Sequence, residues 1–264
     1  MNMSVAPLKV APLKTLVADA LTVQIYESPE EVALAGSALA SQILREATAK
    51  RGQANAIFAT GRSQVQFLDG LTSSNNNLPW QRIFGFHLDE YLGISANHPA
   101  SFRYYLNKHL TNKVALAQWH GLEGDAEQPL LVCERYTSLL REFPADLCCL
   151  GVGNNGHLAF NDPSVADFSD PHTVKLVRLD EKNRQQQVES GNFETLSDVP
   201  QYAFTLTLPA IQRSSHAICL AYGEGKADIV QKLLNNPVDT NCPASILRRM
   251  PQAILLLDKA AAEG

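Results

Sequence analysis

From Leu21 to Leu257 the chain alternates short apolar runs with longer stretches in which apolar residues recur every three or four positions. Leu21 to Tyr26, with Thr and Gln interleaved, predicts a strand. Ser28-Pro-Glu-Glu then supplies an N-cap, a proline at the first helical position and early acidic residues. The helix begun there runs to about Lys50, with Val32, Leu39, Ile43 and Leu44 on one side. Further strands are predicted over Asn55 to Ala59, Ile83 to Leu88, Ala145 to Val152, Val174 to Leu179, Ala203 to Leu208, His216 to Tyr222 and Gln252 to Leu257. Helices are predicted after Ser63, as its cap, and after Ser101. Others cover Glu127 to Arg141, the stretch from Lys226 to Leu234, and a short segment from Cys242. The polar run Glu181 to Gln187 reads as a solvated helix face.

Strands alternating with helices predict an α/β fold. It is a single three-layer domain with a mostly parallel sheet and helices on both faces, Rossmann-like, over residues 21 to 264. Residues 1 to 20 carry a near-duplicate, Val5-Ala-Pro-Leu-Lys and Val10-Ala-Pro-Leu-Lys, and are expected to be a loosely held N-terminal arm.

Composition narrows the function classes. Apolar residues make up 45% and charged residues 19%, which suits a sizeable core and excludes wholesale disorder. A net charge of −5 argues against nucleic acid or an anionic membrane as the main partner, and no apolar run reaches membrane-spanning length. The five cysteines (Cys133, Cys148, Cys149, Cys219, Cys242) lack metal-ligand spacing. With no recognisable signal peptide, they point to a reducing, cytoplasmic setting.

The chemistry gathers at strand ends. In a parallel sheet these lie on one edge, where ligands bind. Thr60-Gly61-Arg62-Ser63 joins a strand to a helix N-terminus, a pattern that describes an anion site or an ordinary turn. Asp89 follows an apolar strand directly, where partial burial would raise its pKa and suit it to move protons. Gly151, Gly153 and Gly156 surround the next strand end, and His157 with Asp162 forms a titratable pair there. Lys226, at a helix start beside glycine, could pair with a phosphate or simply be solvated.

Leu88-Asp-Glu-Tyr91 with His98-Pro99, and Gly151-Val-Gly-Asn-Asn-Gly-His157-Leu-Ala-Phe-Asn161-Asp162-Pro163, resemble the glucosamine-6-phosphate deaminase/isomerase family. The wider superfamily includes galactosamine-6-phosphate isomerases and 6-phosphogluconolactonases. The similarity extends from about Thr22 to Leu257. The resemblance implies a sugar-phosphate substrate and no metal or organic cofactor. By it, Asp89 matches a base that shuttles a proton between C1 and C2, and His157 matches a residue that assists ring opening. Thr60, Gly61, Ser63 and Lys226 match phosphate-binding positions.

This chain departs from the family pattern in several places. The family's Asp-Gly-His is Asn155-Gly-His157 here, and its Asn-Glu-Pro is Asn161-Asp162-Pro163. Asn155 and Gly223-Glu-Gly-Lys226 look more like the galactosamine-6-phosphate isomerase branch. The usual Gly-Gly-Thr is Gly61-Arg62-Ser63, so Arg62 is placed to project into the site. Gln187 falls where an arginine would make a second phosphate contact. Thr173 and Lys175 match poorly the basic positions of an allosteric site, so such regulation is not expected. The reading is therefore an isomerase/deaminase of an amino-sugar 6-phosphate. The alternatives are a sugar-lactone hydrolase and a non-catalytic sugar-phosphate sensor. The oligomeric state stays open.

Overall fold

Ser28 caps the longest helix as its sequence predicts. Its hydroxyl accepts the Glu31 N–H at 3.3 Å, Pro29 fills the first turn, and Gly52 at φ +80° ends α1 (Pro29–Arg51). A computed structural model describes residues 10–263 of the chain. In chain order the other elements are β1 (Lys14–Ala18), β2 (Leu21–Tyr26), β3 (Ala54–Phe58), α2 (Arg62–Thr72), β4 (Ile83–His87), β5 (Asp89–Tyr91), α3 (Phe102–Leu106) and β6 (Gln118–His120). Then follow α4 (Pro129–Glu142), β7 (Leu147–Gly151), β8 (Val174–Arg178), α5 (Glu181–Glu189), β9 (Tyr202–Leu206), α6 (Leu208–Gln212), β10 (Ala217–Ala221), α7 (Ala227–Asn235), β11 (Ala253–Asp258) and α8 (Lys259–Ala262).

Eight strands form one sheet in the order β1-β2-β11-β10-β7-β3-β4-β6, and every pairing in it is parallel except β1 with β2. Strand alternation sends neighbouring side chains into different cores. Cys148 packs on one face, with Leu150, Val132 and Tyr136 of α4, and Ile229 and Leu233 of α7. Cys149 packs on the other, with Leu44 of α1 and Phe67, Leu68 and Leu71 of α2. This is the expected three-layer α/β domain. All five cysteines are buried and unpaired. Among the described residues no helix is long and apolar enough to cross a membrane.

Some expectations need correction. The expected arm over residues 1 to 20 lies outside the described residues up to position 9, but its second half is ordered. There Lys14–Ala18 pairs antiparallel with β2 and adds an edge strand to the ladder that β2 would otherwise leave open. The segments Val174 to Leu179 and Ala203 to Leu208 are strands, yet they do not enter the main sheet. They form a second, antiparallel sheet, β5-β9-β8, with the three residues that follow His87-Leu88. This small sheet covers its own cluster of Tyr91, Ile94, Val177, Leu179, Phe193 and Val199. The β6 strand, only three residues long, was not foreseen.

Candidate active site

The turn after β3 is built around Gly61. At φ +105° and ψ 172° it adopts a conformation open mainly to glycine, and it is the N-cap of α2. Ser63 therefore sits inside the first helical turn and does not cap it, contrary to expectation, because glycine starts the turn two residues earlier. With no side-chain cap, the first N–H groups of α2 stay available at the positive end of an 11-residue helix. The Ser63 hydroxyl accepts from Gln64 Nε2 at 3.1 Å, and the same buried amide nitrogen reaches Leu150 O at 3.1 Å. Ser63 thus keeps its own proton for another acceptor.

β5 presents its residues alternately. Asp89 and Tyr91 face a cavity, while Glu90 turns away. Glu90 is fully buried. It accepts from Ser101 Oγ at 2.8 Å, Phe102 N at 3.0 Å and Arg103 N at 2.9 Å, and pairs with the Arg103 guanidinium at 3.3 Å. These bonds fasten the start of α3 to β5 and fix the register that aims Asp89 inward. Asp89 is 7% exposed. Burial raises its carboxyl well above the usual carboxylate range, and the charge of Glu90 adds to the shift.

β9 registers the third component against the second. Asp89 pairs with Thr205 across the small sheet, and Thr205 Oγ1 accepts the Phe160 N–H at 3.1 Å. Asn161 Nδ2 donates to Leu158 O at 2.9 Å and to Leu206 O at 2.8 Å, pinning the loop that carries His157 onto β9. Ala159 in that loop has φ +52°, a left-handed conformation that costs an L-residue about 1 kcal/mol.

His157 is held from behind. Its Nδ1 lies 2.7 Å from Asn155 Oδ1 and 3.0 Å from Asp162 Oδ1. Both are acceptors, so Nδ1 carries the proton and the neutral ring keeps its lone pair on Nε2. Asn155 Nδ2 donates to Asp162 Oδ1 at 2.9 Å, and Asn183 Nδ2 donates to the same oxygen. Burial alone would raise the Asp162 carboxyl, but the bonds from His157, Asn155 and Asn183 outweigh it and hold the group below its ordinary value. Gly153 lets the imidazole lie against the backbone. A Cβ there would stand 2.2 Å from ring atoms of His157.

Thr60, Gly61, Arg62, Ser63, Asp89, His157 and Lys226 all line one cavity of about 690 Å³. Asn155 and Asp162 stand behind the histidine and outside the lining. Lys226 Nζ donates to Val152 O at 2.8 Å and Asn154 Oδ1 at 2.6 Å, leaving one ammonium hydrogen for a ligand. Burial lowers its pKa.

The polar run Glu181 to Gln187 is a helix, but not a merely solvated one. α5 borders the cavity through Asn183, Arg184, Gln186 and Gln187, and its polarity suits that wet wall. Arg184 spends its guanidinium on Leu196 O and Val199 O, while Gln187 accepts from Asn192. Sequence reasoning missed Asn183, Gln64 and Thr205. Each acts through another residue, and no local pattern marks such a role.

Comparison with known proteins gives the family. A family model described as glucosamine-6-phosphate isomerases/6-phosphogluconolactonase matches residues 27–255. The chain is 34% identical over 230 residues to a glucosamine-6-phosphate deaminase of Listeria monocytogenes serotype 4a (strain HCC23), covering 87% of this chain and 95% of that one. It is 33% identical over 221 residues to a glucosamine-6-phosphate deaminase of Oenococcus oeni, covering 84% and 90%. Among solved structures, a monomeric glucosamine-6-phosphate deaminase superposes with a TM-score of 0.82 at 27% identity, over 91% of this chain and 98% of that one. A 6-phosphogluconolactonase from Trypanosoma brucei, at 18% identity and a TM-score of 0.74 over 95% and 99%, shares the fold. The chain belongs to the glucosamine-6-phosphate isomerase/6-phosphogluconolactonase family.

Proposed function

We propose that this protein is an isomerase/deaminase of a 2-amino-2-deoxyhexose 6-phosphate, releasing ammonia and a ketohexose 6-phosphate. The observation that carries the reading is one cavity bordered by a buried carboxyl, an imidazole with its lone pair on Nε2, and a helix N-terminus beside a lysine. The last two suit a phosphate at one end of a sugar. The first two suit proton transfers at the other.

In this mechanism His157 Nε2 takes the proton of the anomeric hydroxyl and returns it to the ring oxygen, giving the open-chain aldehyde. Asp89 removes the proton from C2, and a proton of the substrate's own ammonium group passes to the aldehyde oxygen to give an enolamine. Asp89 then delivers its proton to C1, which leaves an imine at C2. Water adds to C2 and ammonia departs, completing the ketose. Burial makes Asp89 a stronger base than a solvated carboxylate, and Asp162 stabilises the imidazolium that forms transiently. Thr60, Gly61, Arg62, Ser63 and Lys226 receive the phosphate. A reducing, cytoplasmic setting belongs to the same reading and is supported by the five unpaired cysteines.

Purified protein incubated with glucosamine 6-phosphate, galactosamine 6-phosphate and 6-phosphogluconolactone tests it. Ammonia release from either amino sugar is the expected result. Lactone loss without ammonia release would replace the deaminase reading with a hydrolase.

A further inference from the structure

Two tyrosine hydroxyls meet consecutive carbonyls of the strand-to-helix turn. Tyr105, from α3, donates to Gly61 O at 2.8 Å. Tyr222, just beyond β10, donates to Arg62 O at 3.0 Å. Both side chains border the cavity and both are half-buried. They approach from segments far apart in sequence. Burial raises the pKa of each, so both remain protonated donors across the working pH range.

The planar trans peptide gives these bonds a directional consequence. In each unit the C=O and the following N–H point in opposite directions. Holding Gly61 O toward Tyr105 aims the Arg62 N–H away from that hydroxyl. Holding Arg62 O toward Tyr222 does the same for the Ser63 N–H. Gly61 sits at φ +105°, a conformation that no side chain of its own fixes, and its carbonyl has two partners, the Gln64 N–H at 3.0 Å and the Tyr105 hydroxyl.

We propose that Tyr105 and Tyr222 form a hydroxyl clamp that presets the Gly61–Ser63 turn to receive a phosphate, making them positioning residues for substrate binding. This rests on the reading of the turn as the phosphate end of the site. The clamp lowers the ordering demanded of the turn when the anion arrives, so it acts on affinity and leaves the proton transfers alone.

Tyr105→Phe, Tyr222→Phe and the double variant keep the rings and remove only the hydroxyls. Inorganic phosphate is the probe, titrated calorimetrically, alongside steady-state kinetics with the amino-sugar 6-phosphate. Each single variant is expected to bind phosphate roughly 3- to 10-fold more weakly. KM should rise by a similar factor while kcat stays within about twofold of the parent, as expected when uniform binding is lost. Phosphate affinity unchanged in both singles overturns the clamp, whether or not thermal stability has moved. So does a fall in kcat at constant KM. Phosphate binding needs no turnover, so the two readings fail separately. A protein that binds phosphate through the clamp but releases no ammonia would refute only the deaminase function.

Discussion

Asn155 donates its side-chain amide to the Asp162 carboxylate across 2.9 Å while its carbonyl takes the proton of His157 Nδ1 at 2.7 Å. One neutral amide thus bridges an anion and an imidazole, and only a single negative charge stands behind the histidine. Asn155→Asp would replace a donor by a like charge against Asp162 Oδ1. The Asp162 carboxyl, now held low, would then titrate at higher pH. Its contact with His157 is intact only above that titration. The titration of Asp162, followed by carboxyl NMR, is therefore expected to move up by about one unit, while the acid limb of kcat/KM, set by the raised Asp89 carboxyl, stays in place. An unmoved Asp162 titration would show that the Asn155 amide does not hold the carboxylate low.

Gly153→Ala tests the close approach of backbone and imidazole. The added Cβ would overlap the His157 ring at 2.2 Å, and the ring must swing off Asn155 and Asp162 to clear it. Turnover is expected to fall roughly 100-fold, the scale of a displacement near 1 Å. The loss of stability should be only about 1–3 kcal/mol. Near-parental kcat in a folded variant would remove the held imidazole from the mechanism.

The raised pKa of Asp89 has a signature in stability. A buried carboxyl that keeps its proton to higher pH than the unfolded chain penalises the fold as its charged form appears. The penalty is absent below the unfolded value of about 3.9, grows as pH rises from there and is complete above the folded value. Asp89→Asn should therefore stabilise the protein at pH 8 by at least about 1 kcal/mol, or roughly 2–4 °C in Tm. It should leave Tm unchanged near pH 4. A variant no more stable than the parent at pH 8 would mean that Asp89 is solvated.

Lys226→Ala removes the remaining ammonium hydrogen along with the bonds to Val152 O and Asn154 Oδ1. A charge-assisted bond to phosphate is worth about 1.5–3 kcal/mol, or roughly 10- to 100-fold in affinity. Binding of phosphorylated sugars should fall by that factor while binding of the unphosphorylated amino sugar changes little. Equal losses for both would assign Lys226 a purely structural role at the end of β7.

What the sequence made legible follows from locality. Apolar runs such as Leu147–Gly151 are buried on both faces, so their composition alone marks them as inner strands, and the residues after them necessarily share one sheet edge. The small sheet was not legible. β5 is three residues long, and its membership depends on a partner more than a hundred positions away, where Asp89 meets Thr205. Asn183 was hidden for a related reason. Within Glu181–Glu189 it has the composition of a solvated helix, and only the tertiary placement of α5 brings its amide to Asp162. Ser63 was misread as a cap because the glycine before it, free to take φ +105°, starts the helix earlier.

The most direct test of the account follows the C2 hydrogen of glucosamine 6-phosphate and galactosamine 6-phosphate in deuterium oxide by proton NMR, with ammonia measured in parallel. The parent protein should release ammonia from at least one of them and lose its C2 proton signal. Asp89→Asn should still bind the sugar phosphate, yet show no exchange and no ammonia. Exchange at the parental rate in Asp89→Asn, or no ammonia from either sugar with the parent protein, would contradict the account.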